Sequence, residues 1–313
     1  MFHKIEKALF AYDKVWHRLY SALFLPFSLL YCVVGVLKKA FSEPQKFDIP
    51  VISVGNLTVG GSGKTPFIIA LCAEFESPCV VLRGYGRNSK GLFVVSKLGE
   101  ILCDVRTAGD EATLIAKSAQ NAVVIVSEDR KSGIKKAIEL GCKVVLLDDG
   151  FGKFDIDKFD ILLKPKIPLK NSFCLPSGPY RYPLFFENFA HISAIDGVDF
   201  ERHTSVEKDM RYVFITAISN PARLDSYLPP SVEAKYYFAD HHFFTKNEID
   251  EIMQKHIGTT VLCTQKDAVK LDEIGVEYEP IFLKVVFEER FLNFLKTAFI
   301  GHFGDITLKN QTT

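Results

Sequence analysis

The stretch that decides the fold runs Val51-Ile-Ser-Val-Gly-Asn-Leu-Thr-Val-Gly-Gly-Ser-Gly-Lys-Thr65. Its first residues complete a β-branched run that predicts a strand over 49–54, and a helix is expected over about 64–75. A strand, a glycine-rich turn and a helix start are the context that a P-loop requires. The sequence therefore predicts a phosphate-binding loop formed by Thr58, Val59, Gly60, Gly61, Ser62, Gly63, Lys64 and Thr65.

Each residue type in this loop has a chemical reason. Glycines allow the backbone N–H groups to turn toward phosphate oxygens, and the helix N-terminus adds a positive dipole end. Lys64 is expected to reach the terminal phosphates, and the Thr65 hydroxyl to bind Mg²⁺. The usual pattern has glycine where Thr58 stands, so an ordinary glycine turn is the alternative.

The rest of the chain alternates short apolar strands with helical stretches. Strands are predicted at 79–82, 122–126 and 143–147, with helices at 110–118 and 130–140. This alternation predicts an α/β fold with a mostly parallel, P-loop NTPase-like sheet core, and a second series from about Arg211 predicts a smaller α/β domain. We predict three parts: an apolar helix at 1–45, a core domain at 46–205 and the smaller domain at 206–313.

Composition narrows the class of protein. The chain has 313 residues, 48% of them hydrophobic and 24% charged, as in ordinary globular proteins. Lysine plus arginine equals aspartate plus glutamate at 38 each, which disfavours a nucleic-acid partner. The seven cysteines form no C-x-x-C pair, which favours reduced thiols in a cytosolic protein over a zinc site or disulfides.

An apolar segment near the N-terminus has no charged side chain from Leu19 to Leu37. Its length is close to the ~20 residues that span a bilayer. Spanning the membrane, lying in its interface and burial inside the protein are the three alternatives. Flanking lysines and the aromatic residues Trp16, Tyr20 and Tyr31 favour an interfacial anchor, and Pro26 would kink or interrupt a helix.

Two acidic motifs follow predicted strands or begin helices. Asp148 and Asp149 end an apolar strand, where one or both could hold Mg²⁺, although an Asp-Gly turn is the alternative. Asp110 and Glu111 open a helix, which helix capping alone would explain.

Each of three further motifs suits more than one role, or excludes one, on sequence alone. Arg83-Gly-Tyr85-Gly-Arg87 suits an anionic ligand or a solvated loop. Asp240-His241-His242 suits a metal site, a proton-accepting pair or a polar loop. The 264–267 segment places its lysine one position late for the guanine-binding motif of GTPases, which favours ATP as the nucleotide.

Taken together, these residues resemble the tetraacyldisaccharide 4′-kinases of lipid A biosynthesis. The resemblance covers nearly the whole chain, from the apolar helix onward, and the extended phosphate loop ending in Thr-Pro is its most specific part; the Thr58 departure is the family's own form. The matching motifs are Val-Gly-Asn-Leu-Thr-Val-Gly-Gly-Ser-Gly-Lys-Thr-Pro (54–66), Arg-Gly-Tyr-Gly-Arg (83–87), Gly-Asp-Glu (109–111), Asp-Asp-Gly-Phe (148–151), Leu-Pro-Ser-Gly-Pro-Tyr-Arg (175–181), Asn-Pro-Ala-Arg (220–223), Asp-His-His (240–242) and Gln-Lys-Asp-Ala-Val-Lys-Leu (265–271).

The resemblance implies transfer of the ATP γ-phosphate to the 4′-hydroxyl of a tetraacylated glucosamine disaccharide 1-phosphate, giving lipid IVA. It further implies a need for Mg²⁺ and membrane association at the cytoplasmic face of a Gram-negative inner membrane. The implied roles are Lys64 in catalysis and phosphate binding, Asp110 as general base with His241 as its partner, Thr65, Glu111, Asp148 and Asp149 on the metal side, and Arg83 and Tyr85 toward the substrate.

The sequence departs from the family pattern in two places. Gly152-Lys153 stands where Gln-His is usual, and Ala112 replaces the usual proline after Gly-Asp-Glu. Two rival functions are a soluble P-loop kinase for a small molecule, which the apolar segment disfavours, and a regulatory P-loop NTPase that hydrolyses ATP without an acceptor.

Overall fold

The computed structural model describes residues 9–10, 12–60, 62–206, 210–218 and 221–304. Gly61 of the predicted phosphate loop and Asn220 of the 220–223 motif lie outside these residues. The chain divides into two compact units. Unit one comprises the described parts of Met1–Lys64, Leu147–Phe200 and Glu288–Ile306, and unit two those of Thr65–Leu146 and Glu201–Phe287. The predicted boundaries at 45/46 and 205/206 stay predictions.

The secondary structure alternates strands and helices along most of the chain. The α-helices are α1 (Val15–Ala40), α2 (Lys64–Cys72), α3 (Val105–Ala108), α4 (Asp110–Ser118), α5 (Arg130–Glu139), α6 (Lys246–Gln254), α7 (Gln265–Leu271) and α8 (Glu289–Phe303). The strands are β1 (Val51–Gly55), β2 (Pro78–Leu82), β3 (Phe93–Lys97), β4 (Glu100–Ile101), β5 (Val123–Val126), β6 (Val144–Asp148), β7 (Phe159–Lys164), β8 (Ile192–Ile195), β9 (Phe200–Ser205), β10 (Tyr212–Thr216), β11 (Val232–Tyr237), β12 (Thr260–Thr264) and β13 (Tyr278–Phe287). Short 3₁₀ helices cover Leu184–Phe189, Pro221–Tyr227 and Asp272–Ile274.

Unit one is built on parallel strands. β1 pairs with β7, and β7 pairs with β8, all in parallel, while the end of β6 lies beside β1. The carboxyl ends of β1 and β6 therefore lie at the same edge of the sheet. The glycine-rich loop follows β1 at this edge, and Asp148 and Asp149 lie at the end of β6. Close packing at this edge depends on Gly150, since a Cβ there would lie 2.8 Å from the Ser53 side chain.

Unit two contains strands from two sheets. β2 and β5 pair in parallel and are buried on both faces, and the β3–β4 hairpin adds antiparallel strands next to β5. The five-stranded sheet has the order β11-β10-β12-β13-β9, with parallel pairing from β11 to β13. The predicted α/β class with a mostly parallel core and a second, smaller α/β part is confirmed.

The α1 helix exposes most of its large apolar side chains, while its three buried residues are polar. It runs through Pro26 without interruption, and 11% of its most apolar window is buried, so the alternative of a buried helix is wrong. Its buried residues include two serines, and the Ser21 and Ser28 hydroxyls donate to the carbonyl oxygens of Ser177 (2.7 Å) and Cys174 (2.8 Å). The helix is long and apolar enough to cross a membrane.

Candidate active site

Two glycines of the loop after β1 have left-handed backbone conformations. Gly60 and Gly63 have φ values of +89° and +74°, in a region that side chains disfavour. Thr58 forms an antiparallel bridge with Tyr180, and the Val59 N–H donates to the Pro179 carbonyl at 2.8 Å. A neighbouring segment of unit one therefore braces the phosphate loop.

Lys64 is the first residue of α2, and its ammonium group is held by oxygen atoms of unit one. Its Nζ lies 3.1 Å from Asn56 Oδ1, 3.3 Å from Ser62 Oγ and 3.4 Å from Asp149 Oδ1. The first turn of α2 contains no acidic residue. The helix start and the ammonium group thus offer positive charge to a phosphate. We call Asn56, Ser62, Lys64, Asp149 and Arg181 the phosphate-loop cluster.

Arg181 is a member of this cluster to which sequence reasoning gave no role. Its guanidinium donates to both carboxylate oxygens of Asp149, at 2.7 and 2.8 Å, and to Asn56 Oδ1 at 2.6 Å. Burial alone would raise the pKa of Asp149, but the bonds and charges of Arg181 and Lys64 hold that pKa well below its usual range. Asp149 also has a left-handed φ of +53°, which fixes its direction at the strand end.

Replacing Arg181 by lysine is expected to raise the KM for ATP about tenfold, because an ammonium group cannot reproduce a bidentate contact while also reaching Asn56. The measurement is the ATP dependence of initial rates. Arg211→Lys is the matched control, since Arg211 forms an exposed ion pair with Glu233. Equal KM values for Arg181→Lys and wild type would contradict a role for Arg181 at the nucleotide.

Asp110 lies in the first turn of α4, in unit two, and is 3% exposed. The helix cap is Gly109, so the interpretation of Asp110 as the N-cap is wrong. One Asp110 oxygen lies 3.0 Å from His241 Nδ1, 3.7 Å from Lys266 Nζ and 3.8 Å from Lys270 Nζ. We call these four residues the acid–base cluster. The structure thus brings together two residues that are 131 positions apart in sequence.

The cluster favours an ionised carboxylate. Burial opposes this by raising the pKa of Asp110, but the hydrogen bond from His241 and the charges of Lys266, His241 and Lys270 outweigh it and lower that pKa. The hydrogen bond to Asp110 raises the pKa of His241, against burial and the charge of Lys266. At neutral pH, Asp110 is therefore a carboxylate that can accept a proton.

A second layer of buried groups positions the acid–base cluster. Asp267 is fully buried, accepts hydrogen bonds from the Thr216 hydroxyl (2.7 Å) and the Ala217 N–H (3.2 Å), and lies 2.8 Å from Lys270 Nζ. The Ala217 carbonyl in turn accepts the His241 N–H at 3.1 Å. Asp267 and Lys270 belong to the 265–271 motif of the sequence. Their role depends on contacts with distant residues of unit two, namely Thr216, Ala217 and Asp110.

Gly86 allows His241 to approach, because a Cβ at position 86 would lie 2.8 Å from His241 Nδ1. Gly86→Ala is therefore expected to lower kcat at least tenfold by displacing the ring. Gly91→Ala is the matched control, since both glycines have positive φ (+74° and +87°) but nothing lies within 4 Å of a Cβ at position 91. Both variants should lose about 1–2 kcal/mol of stability from backbone strain. Equal kcat values for the two would contradict this role.

The raised pKa of His241 predicts how stability depends on pH. A raised pKa in the folded state stabilises the protein below the unfolded value of about 6.5, and the gain fades as pH rises through the folded value. Wild type should therefore exceed His241→Gln in free energy of unfolding most at acidic pH. Urea unfolding at several pH values measures this difference, with exposed His203→Gln as the control. A difference that grows with pH would contradict the assignment.

The remaining predicted site residues have the following places. A Glu111 carboxylate oxygen lies 3.3 Å from Lys266 Nζ. Arg83 donates to the Tyr85 hydroxyl at 3.1 Å, and its guanidinium lies over the exposed Tyr85 ring. Asp148 is buried at the end of β6, and Thr65 follows Lys64 in α2. Their roles toward metal or substrate stay predictions.

The departure at Gly152 has a structural counterpart. A Cβ at this position would overlap the Tyr182 hydroxyl, so the Tyr182 side chain takes the space that a larger residue would need. Tyr182 stacks on Phe186 with ring centres 5.2 Å apart. Position 152 therefore has room only for glycine while the Tyr182 side chain keeps its place.

A parallel sheet with a glycine-rich loop, a lysine at the helix start and aspartates at the end of the neighbouring strand define a P-loop nucleotide-binding protein. The sequence profile of the tetraacyldisaccharide-1-P 4′-kinase family matches residues 20–195 and 190–299. The chain belongs to this family, and the predicted resemblance is confirmed.

Individual relatives agree with the family profile. A protein of Aliarcobacter butzleri named tetraacyldisaccharide 4′-kinase is 48% identical over 280 residues, covering 87% of this chain and 88% of the relative. A Helicobacter pylori protein of the same name is 45% identical over 261 residues, covering 83% of each chain. The crystal structure of LpxK from Aquifex aeolicus in complex with ATP is 30% identical, covers 90% of this chain and 99% of that one, and has a TM-score of 0.75.

Proposed function

We propose that this chain transfers the γ-phosphate of ATP to the 4′-hydroxyl of a tetraacylated glucosamine disaccharide 1-phosphate in lipid A biosynthesis, which gives lipid IVA. Family membership supports the reaction, and the ATP in the Aquifex aeolicus structure supports the nucleotide. The observation that carries the proposal is the buried Asp110–His241 pair, since a phosphate loop alone also occurs in enzymes that only hydrolyse ATP.

Phosphoryl transfer needs positioning and charge neutralisation more than covalent help. In our proposal Lys64 and the loop N–H groups bind the β- and γ-phosphates, and Arg181 holds Asp149 and Asn56 in place around them. Arg83 and Tyr85 contribute to substrate binding.

The proton of the acceptor hydroxyl goes to Asp110. His241 and the two lysines keep this carboxylate ionised and oriented until the new phosphorus–oxygen bond forms. A modest basicity suffices, since the transition state of phosphoryl transfer is loose and the hydroxyl becomes acidic as the bond forms.

The residues predicted for the metal side carry the hard oxygen atoms that Mg²⁺ prefers. Thr65 offers a hydroxyl, and Asp148, Asp149 and Glu111 offer carboxylates. When bound with ATP, the ion would neutralise charge on the phosphates. Both Asp149 oxygens are already bonded to Arg181, so this residue would act while oriented by the guanidinium.

The α1 helix supports a place at the membrane, where an acylated substrate resides. Its large apolar side chains between Leu19 and Leu37 are mostly exposed, and its last turn carries Lys38 and Lys39. We propose that it anchors the protein at the cytoplasmic face of the inner membrane, where ATP is available.

The test is an ATP assay of the purified full-length chain in mixed micelles with lipid A disaccharide 1-phosphate, followed by mass spectrometry. We expect a product heavier by one phosphoryl group, and no such product from an acceptor that already carries a 4′-phosphate. ATP turnover at the same rate with and without acceptor would instead favour a regulatory NTPase.

A further inference from the structure

A second apolar surface lies next to α1 in unit one. The 3₁₀ helix Leu184–Phe189 leaves Leu184, Phe185 and Phe189 exposed at 42%, 52% and 43%, whereas Phe186 is buried. Three large apolar side chains on less than two turns are more than scattered surface residues. The rings of Phe185 and Phe189 lie edge to face with their centres 6.5 Å apart, and adjoining exposed apolar side chains of this kind mark a surface that another apolar phase covers.

This patch is continuous with the C-terminal end of α1. The Lys39 ammonium lies 4.1 Å from the centre of the Phe189 ring and 5.1 Å from that of Phe154. Phe41, directly after α1, is 82% exposed. Lys39 therefore connects the C-terminal end of α1 to the exposed face of the 3₁₀ helix.

The charges around the patch select its partner. Lys38 and Lys39 are the basic residues of the last turn of α1, while Glu187 of the 3₁₀ helix is paired with Lys164 at 2.6 Å. Exposed aromatic residues beside lysines suit the boundary between acyl chains and phosphate headgroups, since the rings enter the apolar phase and the ammonium groups reach the phosphates. An anionic bilayer fits this combination better than a second protein surface.

We propose that Leu184, Phe185 and Phe189 insert into the bilayer boundary as a second lipid contact beside α1. This inference rests on the proposed membrane association of the enzyme. Two contacts bind more firmly than one and fix the orientation of the attached unit, which a single helix does not.

The two lipid contacts share one support. Ser21 and Ser28 of α1 bond to the backbone at Ser177 and Cys174, and Tyr182 stacks on Phe186 of the 3₁₀ helix. The segment between them also braces the phosphate loop, since the Arg181 N–H donates to the Leu57 carbonyl at 2.7 Å. Lipid contact would therefore set the position of the phosphate loop above the membrane.

The experiment uses tryptophan fluorescence of the full chain with anionic vesicles whose acyl chains are brominated. Trp16 is the one tryptophan of the sequence and reports on α1, where it is 46% exposed. The double variant Trp16→Phe/Phe185→Trp reports on the second contact. Trp16→Phe/Tyr227→Trp is the matched control, because Tyr227 is 45% exposed and also lies in a 3₁₀ helix.

We expect at least twofold quenching at positions 16 and 185 and none at 227. Quenching at 16 without quenching at 185 would overturn the second contact and leave the α1 anchor standing. A lipid-independent blue shift at 185 together with dimers in analytical ultracentrifugation would also overturn it, in favour of self-association.

A second measurement covers the case in which the tryptophan variant does not fold. Phe185→Ser/Phe189→Ser should weaken vesicle binding of the otherwise unchanged chain about tenfold or more, while kcat on a detergent-dispersed acceptor stays within twofold. Unchanged vesicle binding would overturn the proposal. Because vesicle binding needs no ATP, this result is independent of whether the proposed kinase reaction is correct.

Discussion

Replacing Lys64 by alanine is expected to lower kcat by about 10²–10³-fold, with a smaller change in the KM for the acceptor. The ammonium group is the cation that the phosphate loop supplies, and loss of one well-placed charge at a transferring group typically costs this much. The measurement is the steady-state rate of product formation at saturating ATP.

The control for Lys64→Ala has to remove a lysine that lies on the surface, so that the effect of losing a charge in the site can be compared with the effect of losing any lysine. Lys143→Ala serves this purpose, since Lys143 is exposed and forms a surface ion pair with Glu76 at 2.8 Å. Surface pairs contribute about 0–1 kcal/mol, so the rate and the fold of this variant should be unchanged. If Lys64→Ala retained more than about a tenth of the wild-type rate, the loop would not be the site of phosphoryl transfer.

The local sequence pattern was sufficient to predict the strand and helix that flank the phosphate loop and the helix that begins at Asp110. The helix over Asp110–Ser118 has the predicted bounds, and the observed β1 begins and ends within two residues of its prediction. The helix after the loop ends at Cys72 rather than Phe75. β1 is an apolar run apart from Ser53, and glycines precede both helices, so these boundaries can be read from the sequence.

The strand β7 shows why other elements were missed. It begins after Lys158 and contains Asp160, two charges that break the apolar pattern. In the fold these groups are buried together, 2.8 Å apart, and the Ser53 hydroxyl bonds to the same aspartate. The ion pair and the hydroxyl of the neighbouring strand β1 make the buried charges acceptable, and an apolar pattern does not show that these groups meet.

The same reasoning separates the predicted and the missed parts of the site. Lys64 and Asp148 lie in motifs that have a known chemical meaning by themselves. Arg181 meets an aspartate 32 residues away, and the pairing of Asp110 with His241 came from family resemblance rather than from spacing. Contacts between distant segments depend on the fold, which short motifs do not specify.

Asp110→Asn is expected to lower kcat by about 10²–10⁴-fold, the range that general acid–base catalysis contributes. The amide has the shape of the carboxylate but accepts no proton from the acceptor hydroxyl. It also offers less charge to His241, Lys266 and Lys270. The measurement is the single-turnover rate with saturating ATP and acceptor, which separates chemistry from product release.

Asp104→Asn is the matched control, since Asp104 caps the neighbouring helix α3 by accepting the Thr107 N–H at 2.7 Å. Asparagine caps a helix as well as aspartate, so this variant should keep the wild-type rate. His241→Ala should cost less than Asp110→Asn, and the double variant little more than Asp110→Asn alone, because the histidine acts through the carboxylate. If the two losses multiplied instead, His241 would contribute independently of Asp110, and the assignment of a single proton-accepting pair would be wrong.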